Sequence, residues 1–250
     1  MRRLLFLTIV SLSGLGALVA PGIAGADPKL PLSARTTACT TGAAPADRAV
    51  TFTASMPALA GTKRMLMRFA LQQRRGASGA FAPVAVPGWG WEKSDPGRPG
   101  FVFTERVDGL VAPAAYRVTV TFRWLDRRGR VQRETRRTTG ACEQPDPRPE
   151  PAFDALAAVP KDDGTAFYTV GVRNDGGSDA PSFGATLTIN GTVVGPLRFQ
   201  PLVPDAHDQQ TVIGPRCAPG SIVTVTIDPA GEVEERDESD NVVQRPCPLG

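Results

Sequence analysis

An all-β protein made of two sandwich domains is what this sequence predicts, and three observations carry the prediction. Apolar residues alternate with polar ones over short runs, as in Ile222, Val223, Val225 and Ile227 spaced by Thr224 and Thr226, the period-two signature of a half-buried strand. Gly and Pro together supply 50 of the 250 residues, and no long stretch shows the 3.6-residue apolar period of a helix. The four cysteines, Cys39, Cys142, Cys217 and Cys247, fall two to each half of the chain.

Residues 1–26 stand apart from the fold. Arg2-Arg3, the apolar run from Leu4 to Val19 and the small residues Ala24-Gly25-Ala26 have the three-part layout of a secretory signal, with cleavage expected after Ala26. No apolar run of spanning length follows, so a soluble chain, secreted or held at the cell surface, is expected. For an exported chain an even cysteine count reads as disulfides. Pairing within halves gives Cys39–Cys142 and Cys217–Cys247, one of three connectivities. Zinc is a poor alternative, because the chain has no C-x-x-C and its one histidine is His207.

Taken in order, residues 27–38 read as a lead-in to the first domain, residues 27–145. Val50 to Ala54 alternates as a strand. Arg64 to Leu71 is apolar on one face and partly so on the other, as in a central strand. Phe81 to Val86 reads as a short edge strand interrupted by Pro83. Pro87-Gly88-Trp89-Gly90-Trp91 has the most unusual local composition in the chain. If extended, Trp89 and Trp91 project to one side and make a stacking platform for sugars or flat apolar ligands; otherwise the rings cap the core.

Phe101 to Thr104 is a further strand, and the segment from Leu110 through Pro113, Tyr116, Val118 and Val120 follows. This order resembles the tyrosine corner of fibronectin type III and related immunoglobulin-like sandwiches. The resemblance implies that the Tyr116 hydroxyl bonds backbone a few residues upstream. Beyond it, Asp126-Arg127-Arg128-Gly129 turns the chain into a basic hairpin with Arg127, Arg128, Arg130, Arg133, Arg136 and Arg137. Two readings stay open, a solvated edge that resists aggregation and a contact for an anionic partner. Nucleic acid is not expected, since the turn interleaves no aromatic rings with its cations.

Residues 146–151 alternate Pro with polar residues and read as a semi-rigid linker to a second domain, residues 152–250. Charge changes sign there: residues 27–145 hold 19 Lys+Arg against 9 Asp+Glu, residues 146–250 hold 7 against 16. The halves therefore have different partners or dock on each other. Asn190-Gly191 gives the strongest hairpin signal, and Leu202 to Ile213 reads as a further short strand before Cys217.

Four motifs of this half, Val170-x-Val172-x-Asn174-x-Gly176, Leu187-x-Ile189-Asn190-Gly191-x-x-Val194, Gly220-x-Ile222-x-x-Val225-x-Ile227-Asp228-Pro229 and Val233-x-Glu235-x-Asp237-Glu238-x-Asp240-Asn241, resemble the CARDB family. This is the cell adhesion related domain found in bacteria. Membership implies an immunoglobulin-like seven-stranded sandwich in an exported surface protein. Asp240 stands where the family usually has Asn, and Pro204-Asp205-Ala206 replaces its Gly-containing turn. The carboxylates of the last motif allow two readings. Asp228, Glu235, Asp237, Glu238 and Asn241 could hold calcium through hard oxygen ligands, or the carboxylates could lock the bend by accepting backbone amides.

The function expected is a non-catalytic adhesion or binding module facing a protein or glycan on the cell surface, with no cofactor. A carbohydrate-binding accessory protein using Trp89 and Trp91 is the alternative. A carboxylate-based hydrolase ranks below both, because the chain has no G-x-S-x-G elbow and no recognisable acid/base pair.

Overall fold

The computed structural model describes residues 30–76 and 78–249, and the expected signal segment lies outside the described residues. Nine strands come first: β1 Ser33–Thr40, β2 Ala49–Pro57, β3 Arg64–Arg75, β4 Ala82–Pro83, β5 Glu92–Lys93, β6 Gly100–Asp108, β7 Ala114–Leu125, β8 Val131–Thr138 and β9 Cys142–Gln144. They form two antiparallel sheets. One is ordered β1-β2-β6; in the other β3 and β7 are central, with β4 and β5 along the free edge of β3 and β8 and β9 along that of β7.

Seven strands follow: β10 Pro151–Pro160, β11 Thr165–Asn174, β12 Phe183–Ile189, β13 Thr192–Phe199, β14 His207–Pro215, β15 Ile222–Ile227 and β16 Val242–Pro246. Their sheets are ordered β10-β11-β14 and β13-β12-β15-β16. This is an all-β sandwich architecture, and among the described residues there is no α-helix.

Alternation accounts for both cores. Val50, Phe52, Ala54 and Met56 of β2 face Met65, Met67, Phe69 and Leu71 of β3 and Val118, Val120, Phe122 and Trp124 of β7. Trp124 is fully buried because its indole N–H finds the Pro57 carbonyl at 2.7 Å. In the second sandwich Tyr168, Val170 and Val172 pack over Leu187, Val225 and Ile227, with Phe183 stacked on Phe199 at 5.4 Å. Ile222 points outward, and the inward set of its strand is Val223, Val225 and Ile227. The disulfides are Cys39–Cys142 and Cys217–Cys247, spanning 103 and 30 residues.

The tyrosine corner forms as its motif implies: the Tyr116 hydroxyl donates to the Val111 carbonyl at 3.0 Å and accepts the Val111 amide at 3.0 Å. Asn190 and Gly191 both take positive φ, 47° and 83°, as a type I′ hairpin turn requires.

Three expectations need correction. The lead-in contains a full strand, β1, whose register on β2 runs from Ser33 opposite Ser55 to Thr40 opposite Ala49. Its Ser- and Thr-rich outer face hides the apolar alternation. The edge strand expected over Phe81 to Val86 is only the two residues of β4, because Pro83 has no amide for the ladder and Val84 and Val86 turn toward the core. The strand expected from Leu202 starts at His207, after a turn in which Asp205 has φ 63°.

Candidate functional site

The outer face of the β3-β7-β8 sheet collects cations and aromatic rings. Antiparallel register places Arg68 opposite Thr121, and Thr121 opposite Arg136; one row further, Leu66 lies opposite Arg123, and Arg123 opposite Glu134. Glu134 meets the Arg123 Nε at 2.5 Å and Arg136 at 3.8 Å. These guanidinium groups, with Arg68 beyond them, hold the Glu134 carboxyl below its ordinary range. One carboxylate thus sits among three arginines.

Trp91 belongs to this outer face. Met67 lies opposite Glu92, so the residue before Glu92 falls beside Arg68. Arg123 stands over the Trp91 ring at 4.3 Å and Arg68 at 5.3 Å. At the other end of β3, Phe81 takes the same position: Arg117 lies over its ring at 3.9 Å and Arg74 at 5.3 Å. Between the rings the surface is low, formed by Ala70, Thr119 and Thr138, which share one register row.

Trp89 is elsewhere. Its ring meets Phe69 edge-on at 6.1 Å and packs against the core. The joint platform of Trp89 and Trp91 does not form. The segment is not extended there: it turns at Pro87-Gly88, where Gly88 has φ 85°, and strand β5 starts only at Glu92. The two rings therefore lie against opposite faces of β3.

The arginines singled out from the hairpin are scattered. The Asp126 carboxylate accepts the Arg128 and Arg130 amides at 2.8 and 2.9 Å and pairs with the Arg130 Nε at 2.9 Å, closing the turn. Arg133 lies over Trp124 at 5.7 Å, and Arg127 is exposed at the tip. The concentrated cationic surface is the adjoining strand face. Sequence reading missed Arg68, Arg117 and Arg123 because they are separated along the chain; only strand register unites them.

In the second sandwich the carboxylates after β15 fasten backbone. Asp228, at φ 42°, accepts the Glu232 and Val233 amides at 2.9 and 2.8 Å. Glu232 pairs with Arg198 at 2.6 Å, Asp237 caps Ser239, and Glu238 accepts the Glu235 amide at 3.1 Å. Glu235 is 1% exposed; one of its oxygens accepts the Asn241 side-chain N–H at 3.2 Å, while the other, like the Asn241 side-chain oxygen, has no hydrogen-bond partner among the described residues. Burial pushes the Glu235 carboxyl up to about 8, and the nearby Glu238, Asp228 and Glu150 push the same way. The structure does not gather Asp228, Glu235, Asp237, Glu238 and Asn241 into one cation cage: among the described residues no group of three or more His, Cys, Asp or Glu is placed to hold a metal.

This loop also grips the Pro-rich segment. Buried Glu150 accepts the Asp237 amide at 3.0 Å and faces the Arg236 guanidinium at 3.5 Å, and the Pro149 carbonyl accepts the Arg236 amide. From the other side Asn174 accepts the Glu150 amide at 3.0 Å. His207 is exposed and pairs with Asp154 at 3.1 Å.

Among the described residues no helix is long and apolar enough to cross a membrane. A comparison with curated proteins finds no match. Among solved structures the chain is similar to a CARDB domain of Pyrococcus furiosus crystallised with di-metal ions, at 26% identity over 40% of this chain and 86% of that one, with a TM-score of 0.34. It is also similar to a domain from a protein of Methanosarcina acetivorans whose description puts it, by prediction, at the cell surface, at 24% identity over 40% of this chain and 90% of that one, with a TM-score of 0.36. A third similarity, to a GH2 beta-galacturonidase of Eisenbergiella tayi bound to galacturonate, has 9% identity over 80% of this chain and 36% of that one, with a TM-score of 0.29. Residues 155–245 match the CARDB family model, a span that includes the Asn174 turn and the Asp228 loop. The second sandwich of this chain is a CARDB domain.

Proposed function

We propose that this chain is a non-catalytic binding module working outside the cell, in which the first sandwich makes the contact with an anionic partner. The observation that carries the reading is the gathering of Arg68, Arg123 and Arg136 round one carboxylate on an open sheet face. Three guanidinium groups against one counter-charge leave an excess of positive potential on a surface where a partner can approach. The CARDB domain supports the extracellular setting, since one of its structural relatives is described as a surface protein. The N-terminal sandwich is read as immunoglobulin- or fibronectin type III-like on its tyrosine corner.

Against catalysis, Asp228 and Glu238 are committed to backbone amides, and the one histidine is a surface residue in hydrogen-bond contact with Asp154. Carboxylates held this way brace a turn.

Residues 27–250 incubated with cell envelopes and sedimented test the proposal. Retention at low salt that is lost as ionic strength rises to about 0.5 M is expected, because contacts between exposed charges are screened. Failure to sediment with envelopes at any salt would contradict it.

A further inference from the structure

We infer that the partner of the first sandwich is a carboxylated polysaccharide, bound along the trough between Trp91 and Phe81. This deepens the binding-module reading and rests on it. Three features of the trough select that chemistry.

The first is its shape. Arg68 and Arg74, which mark the two rings, are six residues apart on β3, so the trough is ~20 Å long at ~3.3 Å per residue. From β3 to β8 it is two strand spacings wide, ~10 Å. An extended single chain fits such a bed, and a folded protein partner would meet two raised rims.

The second is the pairing of cation with ring. Arg123 and Arg68 flank Trp91, and Arg117 lies 3.9 Å over Phe81. A guanidinium fork matches a carboxylate in two-point fashion, and an aromatic face packs against the apolar face of a sugar ring. Each end of the trough therefore sets a guanidinium for the acid against a half-exposed aromatic ring whose uncovered part can meet the pyranose. Arg117 is already oriented, since its Nε donates to the Gln72 side-chain oxygen at 2.8 Å. Holding the fork in place reduces the ordering cost on binding.

The third is the floor. Thr119 and Thr138 lie side by side with their hydroxyls 3.0 Å apart, next to Ala70. Hydroxyls on a flat bed can exchange hydrogen bonds with sugar hydroxyls.

The probes are alginate as the carboxylated polymer, dextran as the neutral one and polyphosphate as the non-sugar polyanion, each tested on residues 27–250 by binding isotherm. Alginate binding with quenching of tryptophan fluorescence and no binding to dextran is expected. Arg68→Ser combined with Arg136→Ser, and separately Trp91→Ala, are each expected to weaken alginate binding by about tenfold or more with the melting temperature retained. If either variant fails to fold, Arg68→Lys with Arg136→Lys and Trp91→Phe replace it. Keeping the charge without the fork, or a smaller ring, is still expected to lower affinity measurably. Unchanged affinity in folded variants, equal binding to dextran, or binding to polyphosphate and not alginate would overturn the inference. Envelope binding without alginate binding sinks the ligand class alone; binding to neither sinks the binding-module reading as well.

Discussion

The side-chain oxygen of Asn174 accepts the backbone amide of Glu150 at 3.0 Å, tying the segment that enters the CARDB domain to the turn after β11. The same oxygen accepts the Gly176 amide at 3.0 Å, and the Asn174 N–H groups reach the Ser178 and Leu202 carbonyls at 2.8 and 2.9 Å. One buried amide thus satisfies four backbone groups. Asn174→Ala is expected to cost about 3 kcal/mol in urea unfolding, because several of those groups would stay buried and unpaired. A loss below about 0.5 kcal/mol would show that the seat is not structural.

Gly176 follows from the same contact. A Cβ there would stand 2.5 Å from the Arg148 carbonyl oxygen and the Glu150 amide nitrogen, and both are backbone. Gly176→Ala should therefore destabilise the second sandwich by about 1–3 kcal/mol, the usual cost of overpacking. It should also raise amide exchange at Glu150 and Gly177, whose amides bond across this contact.

Tyr116→Phe removes only the oxygen that bonds both polar groups of Val111 and accepts the Gln73 side-chain N–H at 2.8 Å. The expected loss is about 1–3 kcal/mol. Calorimetry should show it in the unfolding of the first sandwich, with the second unchanged.

Glu235 gives stability a pH dependence of definite sign. Its carboxyl titrates near 8 in the fold against an ordinary 4.5, so the native state holds the proton more tightly than the unfolded chain does. This contribution is complete below about pH 4.5 and disappears as pH rises through about 8. The melting temperature of the second sandwich should fall across that interval, with a limiting slope of about 1.4 kcal/mol per pH unit. Glu235→Gln keeps an oxygen for Asn241 and cannot ionise. It should flatten the profile and raise stability at pH 8; an unaltered profile would rule Glu235 out as its source.

The two disulfides differ in the loops they close, 103 residues for Cys39–Cys142 and 30 for Cys217–Cys247. Loop entropy assigns roughly 4–5 kcal/mol to the first and roughly 3–4 to the second. Replacing each pair by serine should destabilise the first sandwich more. Equal or inverted losses would mean that native packing, not chain entropy, dominates.

Much of this architecture was legible because strands with one buried face announce themselves. Val118, Val120, Phe122 and Trp124 mark one side of β7, and the Asn190-Gly191 pair fixes a hairpin. β1 was illegible because its contact with the core comes mainly from Ala34, beside Leu32 just before the strand, while Ser and Thr dominate the rest. The candidate site failed for a different reason. Adjacency in sequence suggested Trp89 with Trp91 and the hairpin-tip arginines as groups, whereas the fold sends Trp89 to Phe69 and assembles Arg68, Arg123 and Arg136 from three strands. Neighbours across a sheet are set by register, which no single strand encodes.

The most direct measurement is an amide and side-chain NMR map of residues 27–250 titrated with alginate oligomers. The account predicts that shifts concentrate on Arg68, Trp91, Arg123 and Arg136 and extend over Thr119 to Arg117 and Phe81, and that the Asp228 loop stays silent. Shifts confined to residues 228–241, or spread evenly over both sandwiches, would contradict it.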